Sequence, residues 1–352
     1  MISVKTKEIF ITKLLISIAS LVIVVAGIKA ASTVLIPITI AIFLALFSLA
    51  LLKGFSKIKV PKFLAIIIVM GVLILSIVLF IDLLRSSIVD FNNALPEYKA
   101  KFNTVVSSTT SYLSSKGINV SENKIYEFFT LDQMMDFFLK SLKGIMGTVS
   151  NIVLVLVLVM FILFESTAFS KKFQFAFKDS EKAKHFSKTS EEIQKYILIK
   201  SITSFITGIL VYCFVLFLGL DFPALWGISA FLFNYIPIIG SIVASIPPIL
   251  LAIIQLGFGD AGIVAIGYVL INWGVSYFIE PLMMGKNLGI SPLVVILSVF
   301  FWGWVWGPAG MLLSVPLMMV IKILLVHSKD FYWVGILMGD SASLKNKAQN
   351  KE

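Results

Sequence analysis

The sequence predicts an all-α polytopic membrane protein with about eight hydrophobic segments, and three observations carry that prediction. Apolar residues make up 59% of the 352 residues and charged residues only 14%, against roughly 45–50% and about 25% in a soluble domain. The mean hydropathy is +1.00. The apolar residues are gathered into charge-free runs that suit a bilayer core ~30 Å thick, which ~20 helical residues cross. A water-soluble core could not absorb them, because single cores stop growing near ~250–300 residues and need a charged skin.

Taken in order, the charge-free runs are Leu14 to Ile28, Leu35 to Leu52, Phe63 to Ile81, Gly144 to Phe164, Ser201 to Leu220, Phe222 to Gly259, Ala261 to Ile279 and Asn287 to Ile321. The first is short, but Lys13 and Lys29 at its ends can extend their stems and lengthen the usable span. Basic residues before an apolar core and small residues after it would also suit a signal peptide. Against cleavage, the next span starts within a few residues and Lys29 sits badly in a cleavage site.

Lysines orient the spans, because short cytoplasmic loops accumulate positive charge. Residues 1–13, 53–62, 165–200 and 322–352 carry 3, 4, 8 and 5 basic residues, so these four belong inside, with both termini cytoplasmic. Asp90 to Lys143 has six acids and six lysines and belongs outside. The resulting organisation is 1–85 for the first three transmembrane helices, 86–143 for an extracytoplasmic helical insertion, and 144–164 for the fourth transmembrane helix. Residues 165–200 form a basic cytoplasmic linker, 201–326 a C-terminal transport core, and 327–352 a cytoplasmic tail.

In the insertion, Ile88, Phe91, Leu95, Tyr98, Phe102, Val105, Thr109 and Tyr112 recur at helical spacing. Pro96 predicts a bend or restart and Gly117 the end of the arm. A second helical stretch rich in Phe128, Phe129, Met134, Met135, Phe137 and Phe138 leads back to the membrane, its stripe expected to pack between arms or subunits rather than to form a ligand groove. In the linker, Phe169, Phe173 and Phe177 among lysines suit either a helix on an anionic leaflet or a solvated connector.

The run Phe222 to Gly259 has 38 residues and Asn287 to Ile321 has 35. As straight helix at ~1.5 Å per residue, each would far exceed the ~30 Å core. Each is broken near its middle, at Pro237 and Gly240 in one and at Gly303, Gly307, Pro308 and Gly310 in the other, which predicts two half-length helices joined by a tip. An offset of 69 aligns Pro223 with Pro292, Ser229 with Ser298, Phe231 with Phe300, Ser245 with Ser314 and Pro247 with Pro316. One span separates the copies, so re-entrant hairpins would enter from opposite faces. Such an inverted repeat is a recurring plan of secondary transporters, whose solute sites lie at interrupted segments.

The absences narrow the chemistry. No G-x-x-x-x-G-K-[ST] loop occurs, His185 and His327 lie in basic regions, and no His or Cys cluster has metal-ligand spacing, so neither a cofactor nor an enzymatic reaction is expected. Cys213 is the one cysteine, and its apolar neighbours suggest a buried position. Arg85 is the one arginine in a chain of net charge +10, which speaks for a membrane-facing basic surface and against nucleic acid.

Polar residues at membrane depth are few. Asn234 adjoins the Pro237 break, Asn272 is mid-span and Gln255 lies near a segment end, so each amide is an interhelical tie or a solute ligand. Glu280 before Pro281 suits an interfacial carboxylate better than a midplane ion site. Asp221 and Lys286 read as interfacial anchors, and any pairing of Glu165 or Lys200 beside the linker would be structural.

The stretch D-F-P-A-L-W-G-I-S-A-F-L-F-N-Y-I-P-I-I-G-S-I-V-A-S-I-P, residues 221–247, resembles the signature of the autoinducer-2 exporter family of bacterial permeases. So does E-P-L-M-M-G-K-N-L-G-I-S-P-L-V-V-I-L-S-V-F-F-W-G-W-V-W-G-P-A-G-M-L-L-S-V-P, residues 280–316, while residues 34–52 look like the family's second span. The insertion matches only in placement and helical character. By motif, the resemblance carries over Pro237, Gly240, Glu280, Pro281, Gly285, Pro292, Gly307, Gly310 and Pro316. Trp302, Trp304 and Trp306 depart from the family pattern with added bulk beside the second break.

The resemblance implies a multi-pass transporter of the bacterial plasma membrane, exporting a small polar signal of the autoinducer-2 type, with a homo-oligomeric assembly and re-entrant hairpins. The expected substrate path is Asn234, Pro237, Gly240, Asn272, Glu280, Pro281, Gly307, Gly310 and Pro316. A sodium or lithium/proton antiporter using Glu280 is the alternative within transport. A non-transporting membrane scaffold is the alternative from another class.

Overall fold

The computed structural model describes residues 4–117, 131–147, 151–176, 180–284, 290–328 and 331–339. Gly285, Lys286, Asn287, Phe128, Phe129 and Phe177 lie outside the described residues. The fold is helical, in the order α1 (Val4–Ala30), α2 (Ser32–Lys57), α3 (Lys62–Ser115), α4 (Leu131–Gly147), α5 (Ile152–Ala176), α6 (Ser180–Phe217), α7 (Pro223–Phe233), α8 (Ile239–Gln255) and α9 (Phe258–Gly274). From α9 the chain continues through a π turn, Val275–Ile279, into α10 (Glu280–Met284), followed by α11 (Pro292–His327) and α12 (Tyr332–Leu337). By length and composition, 5 of the helices suit a membrane crossing, or 6 with the bent pair Gln133–Gly147 and Ile152–Ser166 taken as one.

The third span and the arm expected to lie outside are one helix of 54 residues. The restart expected at Pro96 does not occur. One missing donor leaves the rest of the hydrogen-bond ladder intact, and Phe91, five residues before the proline, and Tyr98, two after it, are both buried in the main core. The arm ends as expected, at Gly117, whose φ is +83°. The buried position expected of Cys213 is also corrected, since it is exposed on α6. In hydrocarbon an outward helix face can be as apolar as an inward one, so apolar neighbours do not diagnose burial in protein.

The two over-long segments each fold back on themselves. Gln255, at the end of α8, donates its amide to Gly219 O at 2.9 Å and accepts from the Asp221 N–H at 3.0 Å. The ends of this segment therefore touch, whereas a rod of its length would hold them ~50 Å apart. In the second segment, Ser291 N–H donates to Met338 O at 3.0 Å and Ile290 bridges Gly339. Gly335 of α12 packs against the backbone of Val326, so both ends of the 36-residue α11 meet, and the reversal falls at Gly307, with φ 63° and ψ −147°. By length and composition α11 counts among the crossing helices, but as a rod it would overrun the ~30 Å core; the joined ends make it a helical hairpin.

The bases of the hairpins lie at opposite ends of the apolar part of α6, Glu191–Phe217. Gly219 and Asp221 follow its C-terminus, while Lys195, a turn from its start, donates to Met284 O at 2.7 Å, and Ile193 and Tyr196 share a core cluster with Ile290. The hairpins therefore point in opposite directions along α6. All five residue pairs matched at the offset of 69 keep corresponding places along their helices, although within the pairs Pro223/Pro292, Phe231/Phe300 and Ser245/Ser314 the exposure differs. Pro223 and Pro292 begin helices, Pro247 and Pro316 sit inside them, and all four serines donate to the carbonyl three residues earlier.

Candidate functional site

The tips are built by glycine. A Cβ added at Gly240 would lie 1.8 Å from Phe233 O, and one at Gly310 would lie 1.9 Å from Trp302 O. In a straight helix, seven or eight residues separate such groups by ~10–12 Å, so these contacts mark the reversal of the chain. Phe233 and Trp302 keep the offset of 69, whereas the glycines are separated by 70, so the register slips by one residue at the tip. In the first tip the strain falls on Ile238, at φ 63°, rather than on a glycine.

The first tip is held to α6 through polar groups. Asn234 is buried and donates its amide to Ser204 Oγ at 3.0 Å. Beside it, Tyr235 OH donates to Ser201 Oγ, also at 3.0 Å. Lys200, one residue earlier on α6, pairs with Glu280 at 3.1 Å, the two side chains being 7% and 18% exposed. Tyr196 is buried a turn below and within electrostatic reach of Glu280 and Tyr235. Thr203 and Thr207 on the same helix are fully buried and satisfied by carbonyls of their own helix. Closer to the base of the hairpin, α6 and α7 approach at Gly208 and Gly227, where an added methyl on either would lie 2.9 Å from the other's carbonyl, the small-residue contact that lets membrane helices pack tightly.

The second tip is held differently, by aromatic groups. Trp306 Nε1 donates to Ile28 O at 3.2 Å, and Lys29 Nζ lies 3.9 Å over the Trp304 ring, a cation–π contact. Trp302 is buried, and its indole N–H has no acceptor among the described residues. Helix α4 touches both tips. Its Phe138 ring lies 6.0 Å from Phe233, and a Cβ at Gly144 would meet Pro308 Cγ at 3.0 Å.

At the base of the first hairpin, Tyr98 on the arm of α3 donates its phenol to Asp221 Oδ2. Burial first, then the bond to this carboxylate, raises the Tyr98 pKa above its ordinary range, so the phenol remains the donor at physiological pH. The main-chain carbonyl of Asp221 also accepts from Trp226 Nε1 at 2.7 Å.

The sequence model of a family described as AI-2E family transporter matches residues 18–330. This chain belongs to that family. A protein of Haemophilus influenzae is 35% identical over 338 residues, covering 94% of this chain and 97% of its own. The AI-2 transport protein TqsA of Escherichia coli K12 is 33% identical over 329 residues, covering 93% and 96%. YhhT of the same strain is 28% identical over 327 residues. The chain is accordingly a membrane protein of a transporter family, and its relatives carry transport names, which fits a role other than catalysis.

Of the residues expected on the substrate path, Asn234, Pro237, Gly240 and Glu280 gather around the first tip and the α6 seam. Gly307 and Gly310 build the second tip, with Pro316 buried further along α11. Asn272 stands apart, its amide donating to Tyr268 O in its own helix at 2.8 Å, and Pro281 is exposed beyond the ion pair. The pairing expected of Lys200 beside the linker runs instead to Glu280, 80 residues away. Sequence reasoning missed Ser201, Ser204, Tyr196 and Tyr235. The available signal was a recurrence of Lys200, Thr203, Ser204 and Thr207 at helical spacing in an apolar span. The contact of α4 with both tips had no such signal, because it depends on how the insertion returns.

Proposed function

We propose that this family member is a secondary transporter that exports a small polar solute, of the type named for its relative TqsA, by alternating access. The solute passes between the first hairpin tip and α6. The observation that carries this reading is the pair of hydrogen bonds from Asn234 and Tyr235 to Ser204 and Ser201. They place neutral donors and acceptors at a broken helix deep in an apolar bundle, where a solute can exchange for them. The unpartnered indole N–H of Trp302 supports a polar visitor at the second tip, because a buried donor without an acceptor costs free energy.

The test is flux of autoinducer-2 in proteoliposomes. Tyr235→Phe removes one hydroxyl and no carbon, so it should cost only about 1 kcal/mol of stability while changing the concentration dependence of flux severalfold. Unchanged flux kinetics in Tyr235→Phe and Ser201→Ala would remove the seam from the path.

In the membrane, the reading makes both hairpins re-entrant, the first from outside and the second from inside. In a Cys213-free background, cysteines at Ser108 and Gly259 should label from outside, and those at Ser187 and Asn287 from inside. Gly259 has open space around its Cβ, so the substitution is sterically free. Reversed labelling at Gly259 and Asn287 would overturn the re-entrant arrangement. The second reading, cation/proton exchange, is favoured by one observation, the ion pair of Lys200 with Glu280 beside the first tip.

A further inference from the structure

The last turns of α2 and the first turns of α3 enclose an open cleft of about 320 Å³, lined by Leu51, Phe55, Ile58, Ile68, Val69 and Val72 with Gly54. Its wall is apolar, and it lies at the end of two spans, so it opens into hydrocarbon rather than water. The last turns of α2, the connecting turn and the start of α3 carry Lys53, Lys57, Lys59 and Lys62, and no acid occurs between Leu51 and Val72. Two of these lysines are engaged by the protein. Lys53 reaches Gln194 Oε1 at 3.4 Å, and Lys62 reaches Phe164 O and Ser166 Oγ, also at 3.4 Å.

Lys57 and Lys59 are exposed. Lys59 is held at φ 59°, a left-handed conformation that glycine would adopt without strain. Its N–H bonds to Ser56 O at 3.2 Å, and Val60 N–H to Phe55 O at 3.3 Å, which fixes the turn directly beside the cleft wall at Ile58. The turn therefore spends conformational strain on presenting a cation where glycine would serve the backbone better.

We propose that the cleft and turn form a binding site for an anionic phospholipid of the leaflet that this turn faces. One acyl chain occupies the cleft, and the phosphate lies against Lys57 and Lys59. The charge pattern selects this occupant: Lys57 and Lys59 are exposed and residues 51–72 carry four lysines and no acid, which favours an anionic headgroup over a zwitterionic one, and the apolar wall fits a hydrocarbon chain. This site is separate from the α6 seam and stands whether or not the transport reading does.

Native mass spectrometry of the detergent-purified full chain, titrated with phosphatidylglycerol and with phosphatidylcholine of the same chains, tests the proposal. Wild type should retain phosphatidylglycerol about tenfold better. The double variant K57Q/K59Q should lose that preference while melting at the wild-type temperature in phosphatidylcholine nanodiscs. Gly54→Phe, which projects into open space, should lower retention of both lipids by filling the cleft. Equal retention of the two lipids by wild type, or a preference that survives in K57Q/K59Q, would overturn the headgroup assignment. Undiminished retention in Gly54→Phe would overturn the acyl-chain assignment.

Discussion

Glu280→Gln alone should sharply reduce the amount of folded protein, and Lys200→Met alone should do the same, whereas the double variant should recover most of it. Lys200 and Glu280 are 3.1 Å apart and nearly enclosed, with side chains 7% and 18% exposed. Removing one partner leaves an uncompensated buried charge, which costs on the order of 3–5 kcal/mol, while replacing both is far closer to neutral. That loss is a large share of a typical domain's margin of about 5–15 kcal/mol. Thermal melting in detergent gives the readout, and single variants that melt like wild type would show that water reaches the pair.

The pair also determines how a coupling role for Glu280 can be tested. Glu280→Gln leaves Lys200 unpaired, so lost flux in that variant reports folding as much as ion exchange. The Glu280→Gln and Lys200→Met double variant separates the two: restored folding with a flat pH profile of flux identifies Glu280 as the coupling group. Restored folding with the wild-type pH profile assigns the pair a structural role alone.

Gly240→Ala and Gly310→Ala should each abolish flux, with the protein destabilised by on the order of 3 kcal/mol or driven to misfold. A single methyl suffices, because it would lie 1.8 Å from Phe233 O at the first tip and 1.9 Å from Trp302 O at the second. These oxygens belong to the backbone and cannot swing aside. Gly262→Ala is the matched control, since its Cβ would meet nothing within 4 Å and alanine is the better helix former by about 1 kcal/mol. Native tip variants with normal melting would show that the tips can open by more than a methyl's width. Because the contact is with the protein's own carbonyl, loss of flux in these variants establishes the fold of the tips. The solute path is read from Tyr235→Phe and Ser201→Ala instead.

Much of the architecture is legible in the sequence. The lengths of the runs from Phe222 and from Asn287 exceeded what a membrane can hold, and glycine and proline stood at their centres, so reversal followed from geometry. The offset of 69 found residues that do occupy corresponding places, because a repeat preserves the helix starts, inner prolines and back-bonded serines that its packing needs. Glu280 and Asn234 were legible as polar groups in apolar surroundings, which are expensive unless satisfied.

Their partners were not legible. Nothing in the sequence ties Glu280 to Lys200 rather than to a headgroup, or Asn234 to Ser204, because each bond joins helices distant along the chain and depends on how those helices are rotated about their axes. Cys213 and Pro96 show the same limit. Whether an apolar helix face meets protein or lipid, and whether a helix absorbs one proline, is decided by neighbouring elements that composition does not name.

The sequence by itself therefore determined the solvent of this protein, the length of its segments and the places where they break, since these follow from hydropathy, the rise of a helix and the backbone freedom of glycine and proline. Only the tertiary structure decided that the first tip is latched to α6 by neutral hydrogen bonds, that α4 bridges both tips and that Lys200 neutralises Glu280. In hydrocarbon every helix face is apolar enough to be outward, so pairing is set by close packing and by a few buried polar bonds, which appear only when the helices are brought together.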